Sequence, residues 1–164
     1  MESVSVQEET FTHNSNNYRA ILYGGLLAGS LDLTAAFINS GLQGVDPARV
    51  LRAIAGGVLG AESSKDGFVS AALGFMLHFA IAFGATTFFY AASRKIKFLI
   101  DHYVISGILY GIAVYLFMNF LVVPLSAFPF PMPITLRTIT TNALIHIFCV
   151  GLPISMCVRR FAKW

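Results

Sequence analysis

Three ionisable side chains stand inside long uncharged stretches of this 164-residue chain: Asp32, His78 and His146. Between residues 20 and 45 the only charge is Asp32, and the stretches around the two histidines, 67–93 and 138–158, carry none. A carboxylate and imidazoles in apolar surroundings are the materials of intramembrane proton relays and pH gates. Imidazoles also ligate haem iron and transition metals, which makes a centre held by His78 and His146 the alternative, with Asp32, Asn142 or Cys149 beside them. No HxxxH or CxxC spacing accompanies these residues, so no cofactor is predicted. In the plainest reading, these groups, together with Asn119 and Asn142, hydrogen-bond across helices and fix packing, each contributing roughly 0.6 kcal/mol.

The elements that must position these groups are membrane spans. Hydrophobic residues make up 56% of the chain and charged ones 12%, with a mean hydropathy of +0.71. An ordinary soluble domain carries about 25% charged residues, so a soluble globular enzyme, a disordered tail and a disulfide-stapled module are all excluded. A helix needs roughly 20 apolar residues to cross the hydrocarbon core. Four stretches meet that length: 20–42, 68–93, 98–124 and 139–158. Unpaired backbone groups do not survive in lipid and nothing here alternates like a barrel strand, so the expected fold is an all-α, four-helix membrane bundle.

Residues 1–19 read as a polar tail and 161–164 as a short end beyond the last span. Seven basic residues (Arg19, Arg94, Lys95, Lys97, Arg159, Arg160 and Lys163) fall on the side of the termini, against four (Arg49, Arg52, Lys65 and Arg137) on the other. The positive-inside rule therefore places both ends in the cytoplasm, in an inner membrane crossed several times. The net charge of +3 is that of juxtamembrane anchors facing anionic headgroups, and the expected partner is the lipid bilayer, with no nucleic acid. There is no Gly-rich phosphate loop, nucleophile elbow or pair of catalytic carboxylates, so enzyme activity is not expected.

Two segments between spans have their own character. Asp46-Pro47 reads as an N-cap followed by proline at the first helical position, which predicts a short interfacial helix over 46–59 with Val50, Leu51, Ile54 and Val58 on its apolar face. Alternating prolines over 128–133 predict an extended chain there.

Helical spacing predicts which way the polar groups face. Gly25 and Gly29 form a small-residue stripe that Asp32 continues, and His78 lies on a stripe with Gly74 and Ala82. Gly107 and Gly111 let the third span approach its neighbours, and the Gly25–Gly29 and Gly107–Gly111 faces suggest a homodimer. Counted from the cytoplasmic ends of their helices, Asp32, His78 and His146 all lie about 18–21 Å deep, in one layer. Asn119 joins that layer only if the third span is long and tilted.

A faint duplication runs through the chain. Residues 21–24 and 108–111 both read Ile-Leu-Tyr-Gly, Asp32 and Asn119 each stand eleven residues after the isoleucine, and His78 and His146 follow in the next spans. The pattern suggests two helical hairpins related as a parallel 2+2 repeat.

From the second span onward, over roughly residues 68–160, the chain resembles the YagU-like family of small bacterial inner-membrane proteins. The likeness is carried by His78, by Lys95-Ile96-Lys97, by Leu116-Phe117-Met118-Asn119 and Val123-Pro124-Leu125, by the proline-rich outer loop, and by His146 ahead of Arg159-Arg160. The family tends to have histidine where this chain has Asn119, and its outer segment between the first two spans is longer. The resemblance implies a membrane location and this topology, and a suggested family link to acid tolerance leans toward a proton-related function. The expected activity is that of a proton-linked or pH-responsive transport or stress-related membrane protein. A haem- or metal-binding protein and a purely structural or accessory subunit stand as alternatives.

Overall fold

In lipid no water is present to satisfy a peptide group, so each apolar run must close its hydrogen bonds within itself, and helices do this. The computed structural model describes residues 2–65, 67–129 and 135–161, with side chains from Tyr18 onward, and contains no strand among them. Its helices are α1 (Glu2–Gly41), α2 (Pro47–Leu59), α3 (Gly67–Ser93), a single turn α4 (Phe98–Asp101), α5 (Tyr103–Leu125) and α6 (Leu136–Phe161). Four segments are long and apolar enough to cross a membrane: Tyr18–Gly41, Gly67–Ser93, Tyr103–Leu125 and Leu136–Phe161. The chain is an integral membrane protein of four helices. Large apolar side chains cover the outside, Phe68 at 86%, Met76 at 69% and Phe88 at 68% exposure, as expected where the surrounding medium is hydrocarbon.

The structure departs from the sequence reading at both ends of the bundle. No proline or glycine precedes Gly24, so nothing interrupts α1, and the stretch expected as a separate tail continues the first span as one helix from Glu2. The side chains of residues 1–17, and residues 162–164 of the expected C-terminal end, lie outside the described residues. The third span starts at Tyr103 instead of residue 98, because His102 leaves helical geometry at φ −113° and ψ 46°. Asp101 and His102 are thereby kept out of the apolar segment. Of the proline-rich stretch, residues 130–134 are outside the description. Before them the chain has left the helix, and Ala127 N–H donates to the Gly57 carbonyl at 2.9 Å.

Helix α2 forms where the N-cap signal placed it, with the Asp46 carboxylate accepting from Arg49 N–H at 2.9 Å and Pro47 opening the helix. Ala55 and Gly56 are its buried residues, while Val58 of the expected apolar face is 63% exposed. At the crossing with α3, a Cβ on Gly74 would collide with the Leu51 carbonyl, so only glycine admits α2 at that depth. Among the spans, α1 packs against α3 and α6, and α5 packs against α6, whereas α3 and α5 scarcely touch. Ala20, Ala28, Phe89, Val150, Ile154 and Val158 form the buried core between them. At the end rich in Arg and Lys, the Tyr23 and Phe161 rings stack at 4.9 Å and the Arg159 guanidinium lies 4.1 Å from the Tyr103 ring centre.

The glycine faces are used within one chain. Gly25 packs on the Phe83 ring and Gly29 on Phe79 and Ala82. Gly107 meets Ser155 and Leu152, and Gly111 meets the backbone of His146 and Ile147. The two stripes that suggested a homodimer are therefore covered by neighbouring spans.

Two π-helical segments, Met118–Val122 in α5 and His146–Gly151 in α6, each end two residues before a proline, Pro124 and Pro153. Proline offers no N–H and its ring clashes with the carbonyl four residues back. The residue before each proline instead bonds one residue further back than in an α-helix, Val123 N–H to the Met118 carbonyl and Leu152 N–H to the Ile147 carbonyl. Such widened turns tend to occur at functional sites. Here they hold Met118, His146 and Val150, all of which border the cavity described next.

Candidate functional site

Asp32 from α1, His78 from α3 and His146 from α6 line one internal cavity of about 120 Å³, with Gly29, Ile54 and Met118 among the residues that complete its wall. That space accommodates a few water molecules or one small ionic group. It is below the roughly 300–1,000 Å³ of pockets that take larger organic ligands. The residues arrive there by local rules. Gly29 and Asp32 sit one turn apart on α1, so the turn that lets α3 come close also delivers the carboxylate. His78 lies one turn beyond Gly74, the crossing point of α2, which is why Ile54 of α2 reaches the same cavity.

The histidine ring nitrogens are assigned by their partners. His78 Nε2 lies 2.8 Å from the Gly29 carbonyl oxygen, across the α1–α3 contact. His146 Nδ1 lies 2.9 Å from the Asn142 carbonyl oxygen of its own helix. A carbonyl only accepts, so each of those nitrogens carries the proton and donates it. His78 Nδ1 and His146 Nε2 are left with lone pairs when the rings are neutral. The Tyr115 ring stands edge-on to His146 with centroids 5.6 Å apart, and Phe79 does the same for His78 at 5.6 Å. All three site residues are half-buried.

The two asparagines take other places. Asn119 turns its side-chain amide back to the Tyr115 carbonyl at 2.9 Å and does not line the cavity. Its π-helical neighbour Met118 occupies that wall instead. Asn142 contributes through its backbone carbonyl, which orients His146. Among the described residues, no group of three His, Cys, Asp or Glu stands close enough together to hold a metal ion.

Tyr110 was not singled out by the sequence. Its hydroxyl donates to the Ala85 carbonyl at 2.6 Å, and its ring packs on Phe89 at 4.9 Å, tying α5 to α3. The one signal pointing to it is its place in the repeated Ile-Leu-Tyr-Gly. The counterpart, Tyr23, has a different role, stacking on Phe161.

No family model, no curated protein and no solved structure matches this chain. The site's chemistry is read from its own residues. Those residues put one carboxylate and two imidazoles around a small space, and the residues lining that space include no Lys or Arg. The arrangement is rich in hydrogen-bond acceptors.

Proposed function

We propose that this is a proton-responsive membrane protein of an inner membrane, with both ends of the chain on the cytoplasmic side, in which Asp32, His78 and His146 take up and release protons. One observation carries the reading: the three groups share a single cavity while each imidazole has only one nitrogen bound to a backbone carbonyl. The remaining nitrogens are free to accept a proton, and the carboxylate borders the same cavity. A carboxylate near the bilayer centre costs about 2.5–3.5 kcal/mol on an insertion scale, and a purely structural role would not require that cost. The likeness to the YagU-like proteins leans the same way. The activity is transport or sensing, not catalysis.

The test uses the full-length protein in liposomes loaded with a pH-sensitive dye. After an external acid jump between about pH 7 and 5, the interior is expected to acidify faster with protein than without. That difference disappears in Asp32→Asn and is restored in Asp32→Glu. A folded Asp32→Asn protein with the wild-type response would overturn the proposal.

A further inference from the structure

The polar cavity has a side that the helices leave open. Consecutive spans α3 and α5 meet at the Tyr110–Ala85 hydrogen bond and the Phe89–Tyr110 ring contact, and their backbones hardly approach elsewhere. Between them runs an apolar cleft of about 440 Å³, a volume typical of sites for small organic ligands. Ile81, Ala85, Val114 and Met118 line both this cleft and the cavity, so the two spaces are neighbours that share these four residues. The cleft includes Phe88 and Phe117, both exposed on the outer surface, and Asp32 lines the cavity on the far side of the shared residues.

The two spaces differ in chemistry. The cleft wall is hydrocarbon and aromatic. The cavity offers acceptors: the Asp32 carboxylate, His78 Nδ1 and His146 Nε2, with both ring N–H groups already bonded to carbonyls. Every element around it contributes to this balance. α1 brings Asp32, α3 brings His78, α6 brings His146, and α5 brings Tyr115 against His146. α2 contributes only Ile54 to the cavity, while its Arg49 and Arg52 line a separate groove. An anionic head would be repelled here, and a pure hydrocarbon would leave the carboxylate unpaired. A matching ligand has an apolar body and a positively charged, hydrogen-bond-donating head. The rings of Phe88, Phe117 and Tyr110 also offer faces that attract a cation on its way in.

We infer that the cleft between α3 and α5 admits lipophilic ammonium ions from the bilayer to Asp32. The inference rests on the proton-responsive reading of the same site: an ammonium ion and a protonated imidazole compete for the one carboxylate.

Octylammonium is the probe, with octanol and octyl sulfate as tail-matched neutral and anionic controls. Binding is measured to the full-length protein in phosphatidylcholine nanodiscs and corrected with empty discs. An alkylammonium keeps its charge at both pH 8 and pH 5, so any pH effect belongs to the protein. Saturable binding is expected for octylammonium alone, weaker at pH 5 than at pH 8. Asp32→Asn is expected to weaken it by about tenfold or more, the scale of one charge-assisted hydrogen bond, and Asp32→Glu to retain it. A Cβ on Gly84 meets nothing within 4 Å, and Gly84 lines the cleft, so Gly84→Trp is chosen to obstruct the cleft from a position open at its Cβ, with an unchanged melting temperature required of the variant. That variant is expected to lose octylammonium binding yet keep the liposome acid response. Equal uptake of octylammonium and octanol, preference for octyl sulfate, or wild-type binding in Gly84→Trp would each overturn the inference while leaving the proton reading intact. Loss of the Asp32-dependent acid response removes the proton reading itself.

Discussion

His78 on α3 donates its Nε2–H to the carbonyl oxygen of Gly29 on α1 at 2.8 Å, one helical turn from Asp32. This bond joins the packing of two spans to the chemistry of the cavity, because Gly29 is both the acceptor and the site of close approach. A Cβ there would stand 2.8 Å from the Phe79 ring and 3.2 Å from the Ala82 Cβ. Gly29→Val is therefore expected to separate α1 from α3, break the His78 bond and lower stability by about 1–3 kcal/mol, as overpacking typically does. Thermal unfolding in detergent measures the loss, with Gly84→Ala, which meets nothing, as the neutral comparison.

The α5–α6 contact is a close approach of backbone to backbone. At Gly111 an added Cβ would lie 2.6 Å from Ile147 Cα and 2.7 Å from the His146 carbonyl oxygen, both backbone atoms. At Gly25 the obstacle is the Phe83 ring, which can swing aside. Gly111→Ala is expected to destabilise the protein more than Gly25→Ala, and by displacing His146 to slow the acid response as well. Melting temperatures and liposome acidification for the two variants check the order.

Tyr110 ties α5 to α3 through a single hydroxyl. Tyr110→Phe keeps the ring on Phe89 and removes only the bond to the Ala85 carbonyl. The expected loss is about 0.6 kcal/mol, with an upper range near 1.7, as measured for hydrogen bonds between membrane helices. Unfolding free energies in bilayer discs report it. A loss of several kcal/mol would mean that the hydroxyl has a partner beyond Ala85.

Pro153 holds the π segment that carries His146. Pro153→Ala returns an N–H to the helix and allows α-helical bonding through residues 146–151. Stability is expected to be unchanged or raised, while the acid response falls although Asp32, His78 and His146 are all present. Hydrogen exchange at residues 146–151, measured with the liposome assay, tests both halves. An unchanged acid response would show that the widened turn does not position His146.

Much of the fold is legible in residue types. The apolar run lengths give the four spans to within a few residues, except the third, where Asp101 and His102 delay the start. Asp46-Pro47 gives the start of α2. Thr86 and Thr87 bond their own helix carbonyls, Ala82 and Phe83, as such residues do inside spans. What the sequence does not reveal arises between helices. Nothing in the run of α2 shows that Ile54 reaches the cavity, since that depends on where Gly74 admits Leu51. Depth counting places Asp32, His78 and His146 at one level, but rotation about each helix axis determines whether they share a space. For α6 that rotation is changed by the widened turn ahead of Pro153. Asn119, paired with Asp32 in the repeat, turns to its own helix because α5 also widens there. The π segments in α5 and α6, absent from the described parts of α1 and α3, make the two halves of the chain geometrically unequal.

The convergence of Asp32, His78 and His146 is open to direct measurement in membranes. In a background with Cys149 and Cys157 replaced by alanine, cysteines are introduced two at a time through Asp32→Cys, His78→Cys and His146→Cys and treated with a short thiol-specific crosslinker. All three pairs are expected to crosslink within one chain, whereas Asp32→Cys paired with Phe88→Cys, which faces lipid, does not. Failure of the 32–146 and 78–146 pairs in folded protein, with crosslinking only between α1 and α3, would contradict a shared cavity and the proton chemistry built on it.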